Sequence, residues 1–198
     1  LAGYLRWEKK QGRKTPPPAG VSVLGEKIAQ AADLPRGFVV WSSNRHGNHE
    51  ILRMDLPGKK ITRLTNHPHT DYYPRISPDG SKIVFSRSQK PWVSQRNTRL
   101  WDVVLHDLET GKERIIARNG NTPTWSADGR KVYFQNDIVN FTEVDIETGE
   151  QKTLFSSGRG EVKQGAILYT PNYNAESGKL AVTQRIGDYM ATIVDMDG

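Results

Sequence analysis

One short phrase recurs in this chain and restricts the folds open to it. Pro74-Arg75-Ile76-Ser77-Pro78-Asp79-Gly80 leads into Ser81-Lys82-Ile83-Val84-Phe85-Ser86-Arg87, and Pro123-Thr124-Trp125-Ser126-Ala127-Asp128-Gly129 leads into Arg130-Lys131-Val132-Tyr133-Phe134. Each copy reads as a short strand, a tight turn and a second strand. Asp bonds its own local backbone and Gly accepts positive φ without a Cβ clash, so Asp-Gly makes the turn. A looser third copy runs from Pro171 through Glu176-Ser177-Gly178 to Leu180-Ala181-Val182. The three prolines lie 49 and 48 residues apart, a period that indicates a repeat architecture.

A second signature keeps the same phase. An Asp followed by an aliphatic residue closes a β-rich run at Asp55-Leu56, Asp107-Leu108, Asp145-Ile146 and Asp195-Met196. A turn follows each, and after the first three another strand-like run begins. The four aspartates therefore shape hairpins as turn-opening acceptors and are not catalytic acids. One repeat is then four antiparallel strands in roughly 40–50 residues, the size of a propeller blade. Val39 and Trp41 align with Ile83 and Phe85, Val132 and Phe134, and Leu180 and Val182. The residues between them are also mostly apolar, as expected of sheets stacked between two others. The fold expected is all-β, a partial propeller of about four four-stranded blades.

The segment Trp41-Ser42-Ser43-Asn44-Arg45-His46-Gly47-Asn48-His49-Glu50-Ile51-Leu52-Arg53-Met54-Asp55 resembles the repeat of TolB-like β-propellers. So does its continuation from Arg63-Leu64-Thr65-Asn66 through Asp71-Tyr72-Tyr73-Pro74 to Ser77-Pro78-Asp79-Gly80. The resemblance runs from Phe38 to the last residue and implies a ring of about six blades. Ile76 departs from it where an aromatic is usual, and the stretch from Ser88 to Arg99 is longer than the family norm.

The chain has 198 residues, too few for that whole ring, and it begins with Leu1 and stops at Gly198 inside a turn. A piece of a longer protein is the expectation. Residues 1–20 carry +4 of the formal +6 charge and the other 178 carry +2, so a nucleic-acid-binding propeller surface is not indicated. Cysteine is absent, which removes disulfide and thiol chemistry. No run of apolar residues is long enough to span a bilayer, although the basic residues after Leu1-Ala2-Gly3-Tyr4-Leu5 suit the flank of an upstream anchor. Residues 1–20 read as a basic arm ending in the stiff linker Thr15-Pro16-Pro17-Pro18-Ala19-Gly20. Residues 21–198 read as propeller, with blades at 21–65, 70–118, 122–156 and 166–198, the last incomplete. Residues 21–34 read as the inner strand of the first blade, with a short helix as the alternative.

His67-Pro68-His69-Thr70-Asp71 is the sharpest candidate for chemistry. Its two imidazoles and carboxylate make His67, His69 and Asp71 weak metal candidates, since a metal needs three or four convergent ligands. In a propeller this stretch joins the outer strand of one blade to the inner strand of the next, at a mouth of the central channel. His67, His69, Asp71 and Tyr72 are therefore expected to dock a protein partner, against the plainer reading of a solvated loop capped by Asp71. Trp92, in the non-repeating stretch from Ser88 to Arg99, joins them, with Lys90, Arg96 and Arg99 able to meet an acidic partner or a sugar. Trp101 is expected inside the blade. Arg45 and Arg87 are expected to bridge neighbouring blades. No serine elbow, phosphate-binding glycine loop or other cofactor signature occurs.

The reading that follows is a non-catalytic, monomeric, TolB-like scaffold of a bacterial, periplasmic or otherwise extracytoplasmic protein, binding a protein partner at the channel mouth and using no cofactor. The alternatives implied by the resemblance are the propeller of a prolyl oligopeptidase-type peptidase whose hydrolase domain lies elsewhere, and a TolB-like lyase or carbohydrate-binding protein.

Overall fold

In a computed structural model the described residues are 36–195, apart from positions 96, 98, 159, 161 and 175. The basic arm and the expected first inner strand lie outside them. Among the described residues fourteen strands form four antiparallel sheets. The first holds β1 (Gly37–His46), β2 (Asn48–Leu56) and β3 (Ile61–Arg63). The second holds β4 (Asp71–Ile76), β5 (Lys82–Ser88), β6 (Trp101–Asp107) and β7 (Glu113–Ala117). The third holds β8 (Gly120–Trp125), β9 (Lys131–Asn136), β10 (Asn140–Asp145) and β11 (Gln151–Ser156). The fourth holds β12 (Ile167–Asn174), β13 (Lys179–Ile186) and β14 (Asp188–Asp195). Every sheet is in chain order, as in propeller blades. No helix among the described residues is long and apolar enough to cross a membrane.

Local chemistry accounts for the turns. The Asp79 carboxylate accepts from Ser81 N (3.0 Å), and Ser77 Oγ accepts from Lys82 N (2.9 Å). Asp128 and Ser126 repeat both bonds with Arg130 N (3.0 Å) and Lys131 N (2.9 Å). Gly80 and Gly129 sit at φ +74° and +71°, where a Cβ would be strained. Asp107 Oδ1 accepts from Glu109 N and Thr110 N, and Asp145 Oδ1 from Glu147 N and Thr148 N. Asp107 and Asp145 are thus turn acceptors, as expected, whereas the Asp55 carboxylate accepts from Arg53 Nε (2.7 Å).

The sheets stack face to face through three cores. Ile83, Phe85 and Val104 of the second sheet meet Ile51 of the first. Its opposite face sets Val84, Val103 and Leu105 against Trp125, Val132 and Phe134 of the third. Phe141 and Phe155 then meet Leu168, Leu180 and Val182 of the fourth. All of these side chains are buried, so an alternation in which both faces are apolar is satisfied only by neighbouring blades.

The inner strands β4, β8 and β12 lie against the preceding sheets and carry a matching irregularity. Tyr73, Thr122 and Thr170 have φ of 56°, 49° and 43°, and each precedes a proline. The pairing register shifts at each of these points, so each is a bulge. A left-handed residue before proline is sterically disfavoured, and the surrounding sheets must hold it there.

Candidate functional site

The connections divide between two rims. The short Asp-based turns, at 57–60, 77–81, 108–112, 126–130 and 146–150, all lie at one end of the strands. The other end carries the irregular connections 64–70, 89–100 and 157–166. Loops of variable length on a rigid scaffold are where recognition groups are usually found. His67, His69, Asp71, Tyr72 and Trp92 all belong to this second rim.

The loop from β3 to β4 is held by buried polar groups. Glu50, fully buried, accepts from Thr65 Oγ1 (2.5 Å), Arg63 Nη2 (2.9 Å) and His67 N (2.9 Å). Asn48 Nδ2 donates to the carbonyls of His67 (2.7 Å) and His69 (2.8 Å). His69 N donates to His67 Nδ1 (3.0 Å), and the two rings meet edge to face at 4.8 Å. His69 Nδ1 lies 2.8 Å from Ser88 O, a pairing that requires the proton on His69 Nδ1. Burial lowers the His67 pKa, helped by the charges of Arg87 and His69 and opposed by Glu113 and Glu50.

The connection 89–100 lies against this loop. Thr70 N donates to Ser88 Oγ (2.9 Å) and Thr70 Oγ1 to Pro91 O (3.2 Å), while Tyr73 Oη donates to Gln95 (3.3 Å). Gln89 Nε2 reaches Asn119 (3.0 Å) and Arg99 Nε reaches Asp137 (2.7 Å) of the next sheet's loops. The connection is therefore a strap across two blades. Tyr72 sits between the rings of His49 (4.5 Å) and Trp101 (5.7 Å), and Trp101 is fully buried. Trp92 is 77% exposed.

Asp71 departs from the role expected of it. Its side chain is fully buried, and both oxygens accept from Arg87, Nε and Nη2 each at 2.8 Å. Burial pushes this carboxyl up to about 6 against the bonds and charge of Arg87. It offers nothing to a partner. Arg87 also donates to Glu113 (2.7 Å), which lies 3.2 Å from His106 Nδ1. Burial of Glu113 is outweighed by His106 and Arg87, which hold its carboxyl at about 2. Arg87 thus ties β4 to β7 within one sheet and does not bridge blades, and Arg45 bonds Ser43 of its own strand. With Asp71 turned inward, the weak metal candidates do not converge. Among the described residues no group of three or more His, Cys, Asp or Glu side chains could hold a metal ion.

Comparison with known proteins bears on this arrangement. No family model matches the chain. A protein named TolB homolog from Chlorobium chlorochromatii is 28% identical over 152 residues, 72% of this chain and 30% of that relative. A candidate TolB of Agrobacterium tumefaciens superposes with a TM-score of 0.66 and 17% identity, over 81% of this chain and 58% of that one. The TolB of Acinetobacter baumannii gives a TM-score of 0.52 and 19% identity, over 88% and 55% of the two chains.

The described sheets are blades of a TolB-like β-propeller. An oligogalacturonate lyase from Vibrio parahaemolyticus shares the fold, with a TM-score of 0.52, 15% identity and coverage of 75% of this chain and 42% of that one. This TolB-like chain spans under a third of the curated TolB homolog it matches.

The sequence reading missed how TolB-like blades are joined here. Ser42 Oγ donates to Asp71 O (2.6 Å), Ser86 Oγ accepts from Thr122 N (3.0 Å), and Gln135 Nε2 donates to Leu168 O. Each of these residues follows the strand position of Trp41, Phe85 or Phe134, and each reaches the bulged inner strand of the next sheet. The signal available was positional: a polar residue directly after an apolar strand core in every repeat.

Proposed function

We propose that this TolB-like propeller is a non-catalytic, monomeric scaffold of an extracytoplasmic protein, and that its loop-bearing rim docks a protein partner. The observation that carries this reading is the exposed Trp92 on a strap fixed to the histidine loop. Exposed tryptophan on a rigid base supplies contact area at low ordering cost, as binding hot spots do. His67, His69 and Tyr72 are half-buried beside it and complete the surface. Asp71 supports them from beneath through Arg87.

A photo-reactive amino acid placed at Trp92, and separately at Glu109 on the opposite rim, tests the assignment in cells. Adducts of discrete size from position 92, and none from 109, are the expected result. Adducts only from position 109, or none from either, would remove the docking role. Thermal melting of the chain carrying Trp92→Ala should match the parent, because an exposed side chain contributes little to the fold.

A further inference from the structure

The charge on the docking rim is arranged unevenly in depth. Asp102 is buried, and its Oδ1 accepts from Gln89 Nε2 (2.8 Å) and Asn119 N (3.3 Å). Its Oδ2 accepts from Arg118 Nη1 (2.7 Å), while 70% of the Arg118 side chain stays exposed. Arg99 is held by Asp137 through Nε alone (2.7 Å) and is 62% exposed. Lys90 is exposed next to Pro91 and Trp92. Glu50 and Asp71, the other carboxylates near the strap, are fully buried beneath Arg63 and Arg87. Apart from Asp137, which is 48% exposed beside Arg99, these carboxylates serve as anchors below the surface, and the exposed cations Lys90, Arg99 and Arg118 form the outer layer. The remaining N–H groups of Arg118 and Arg99 have no partner among the described residues. Guanidinium forks held at one edge are preorganised for a second carboxylate.

We infer that the partner segment taken by this rim is acidic: an extended, Glu- or Asp-rich stretch of protein whose carboxylates meet Lys90, Arg99 and Arg118 while its backbone passes over Trp92. This inference rests on the docking reading above and narrows it to one partner chemistry. A neutral segment would partly desolvate the remaining guanidinium N–H groups without giving them an ionised acceptor, which disfavours it.

The test uses two capped decapeptides, one Glu-rich and one with Gln at the same positions, titrated into the chain at low and at physiological salt. A trigalacturonate serves as a non-protein polyanion. The charge-changed chain carries Lys90→Glu with Arg118→Gln, and a control carries Lys112→Glu with Lys60→Gln, the same charge change on the opposite rim. The Glu peptide should bind saturably and more weakly as salt rises, and the Gln peptide should not bind. Affinity should fall about tenfold or more in the Lys90/Arg118 chain and change little in the control. Equal losses in both chains would reduce the effect to net charge and overturn the inference. Equal binding of the two peptides, lost with Trp92→Ala, would overturn the acidic class and leave docking at the rim standing. Glu-peptide binding untouched by Trp92→Ala and by Lys90→Glu/Arg118→Gln would sink both readings. Trigalacturonate binding more tightly than the Glu peptide would replace the protein segment with a sugar.

Discussion

Replacing Arg87 by Met isolates the strut under the histidine loop. Arg87 makes two 2.8 Å bonds to Asp71 and one 2.7 Å bond to Glu113, and only 12% of its side chain is exposed. Methionine fills much the same volume, so the change is chiefly the loss of charge and hydrogen bonds. Asp71 then remains fully buried with no cation beside it. Breaking a buried pair from one side costs about 3–5 kcal/mol. The pH dependence has a definite sign. Burial already holds the Asp71 carboxyl at about 6, above its unfolded value of 3.8, and loss of Arg87 moves it higher still. A folded pKa above the unfolded one means that the folded chain holds the proton more tightly, so stability falls as pH rises through that window. The Met variant should therefore be weakest at neutral pH and recover as pH falls toward the unfolded value. Urea unfolding followed by tryptophan fluorescence, from mildly acidic to neutral pH, measures both effects. Adding Asp71→Asn should restore most of the loss by removing the orphaned charge. A deficit below about 1 kcal/mol at neutral pH, or one independent of pH, would refute the reasoning.

Two further outcomes follow from the same geometry. A Cβ on Gly120 would lie 2.6 Å from Phe134 Cδ2 and 2.9 Å from Val103 Cγ2, so Gly120→Ala should lower stability by about 1–3 kcal/mol; Phe134→Leu in the same chain should recover part of it, and a neutral Gly120→Ala would contradict the packing. The His67 pKa is lowered from 6.5 by burial, so the bond from His69 N to His67 Nδ1 should persist at neutral pH and break on protonation. The His69 amide proton should shift with a midpoint below that value in a pH series of amide spectra, and an amide that ignores the titration would remove the bond.

The repeat, its phase and its turns were legible in the residue order, because turn chemistry and strand alternation act over five to ten residues. Ser77 and Asp79 close their turn on the N–H groups of Lys82 and Ser81, and Ser126 and Asp128 do likewise on those of Lys131 and Arg130. The connection 89–100 was also legible as a departure from the repeat, and the histidine loop as a polar join between blades. Their attachment to one another depended on pairings of Thr70 with Ser88 and Pro91, some twenty residues away.

The identity of residues 67–71 marked a polar loop, and nothing local told which side chains face water. Tertiary structure decided that, by placing Arg87 and Glu113 on the two sides of one charge network and leaving Asp71 as its buried member. The same holds for the bonds from Ser42, Ser86 and Gln135 to the next blade and for the cations above Asp102. Local order fixes which backbone conformations are cheap. Burial and charge pairing depend on residues brought together by the stacking of blades, so they exist only once the blades have met.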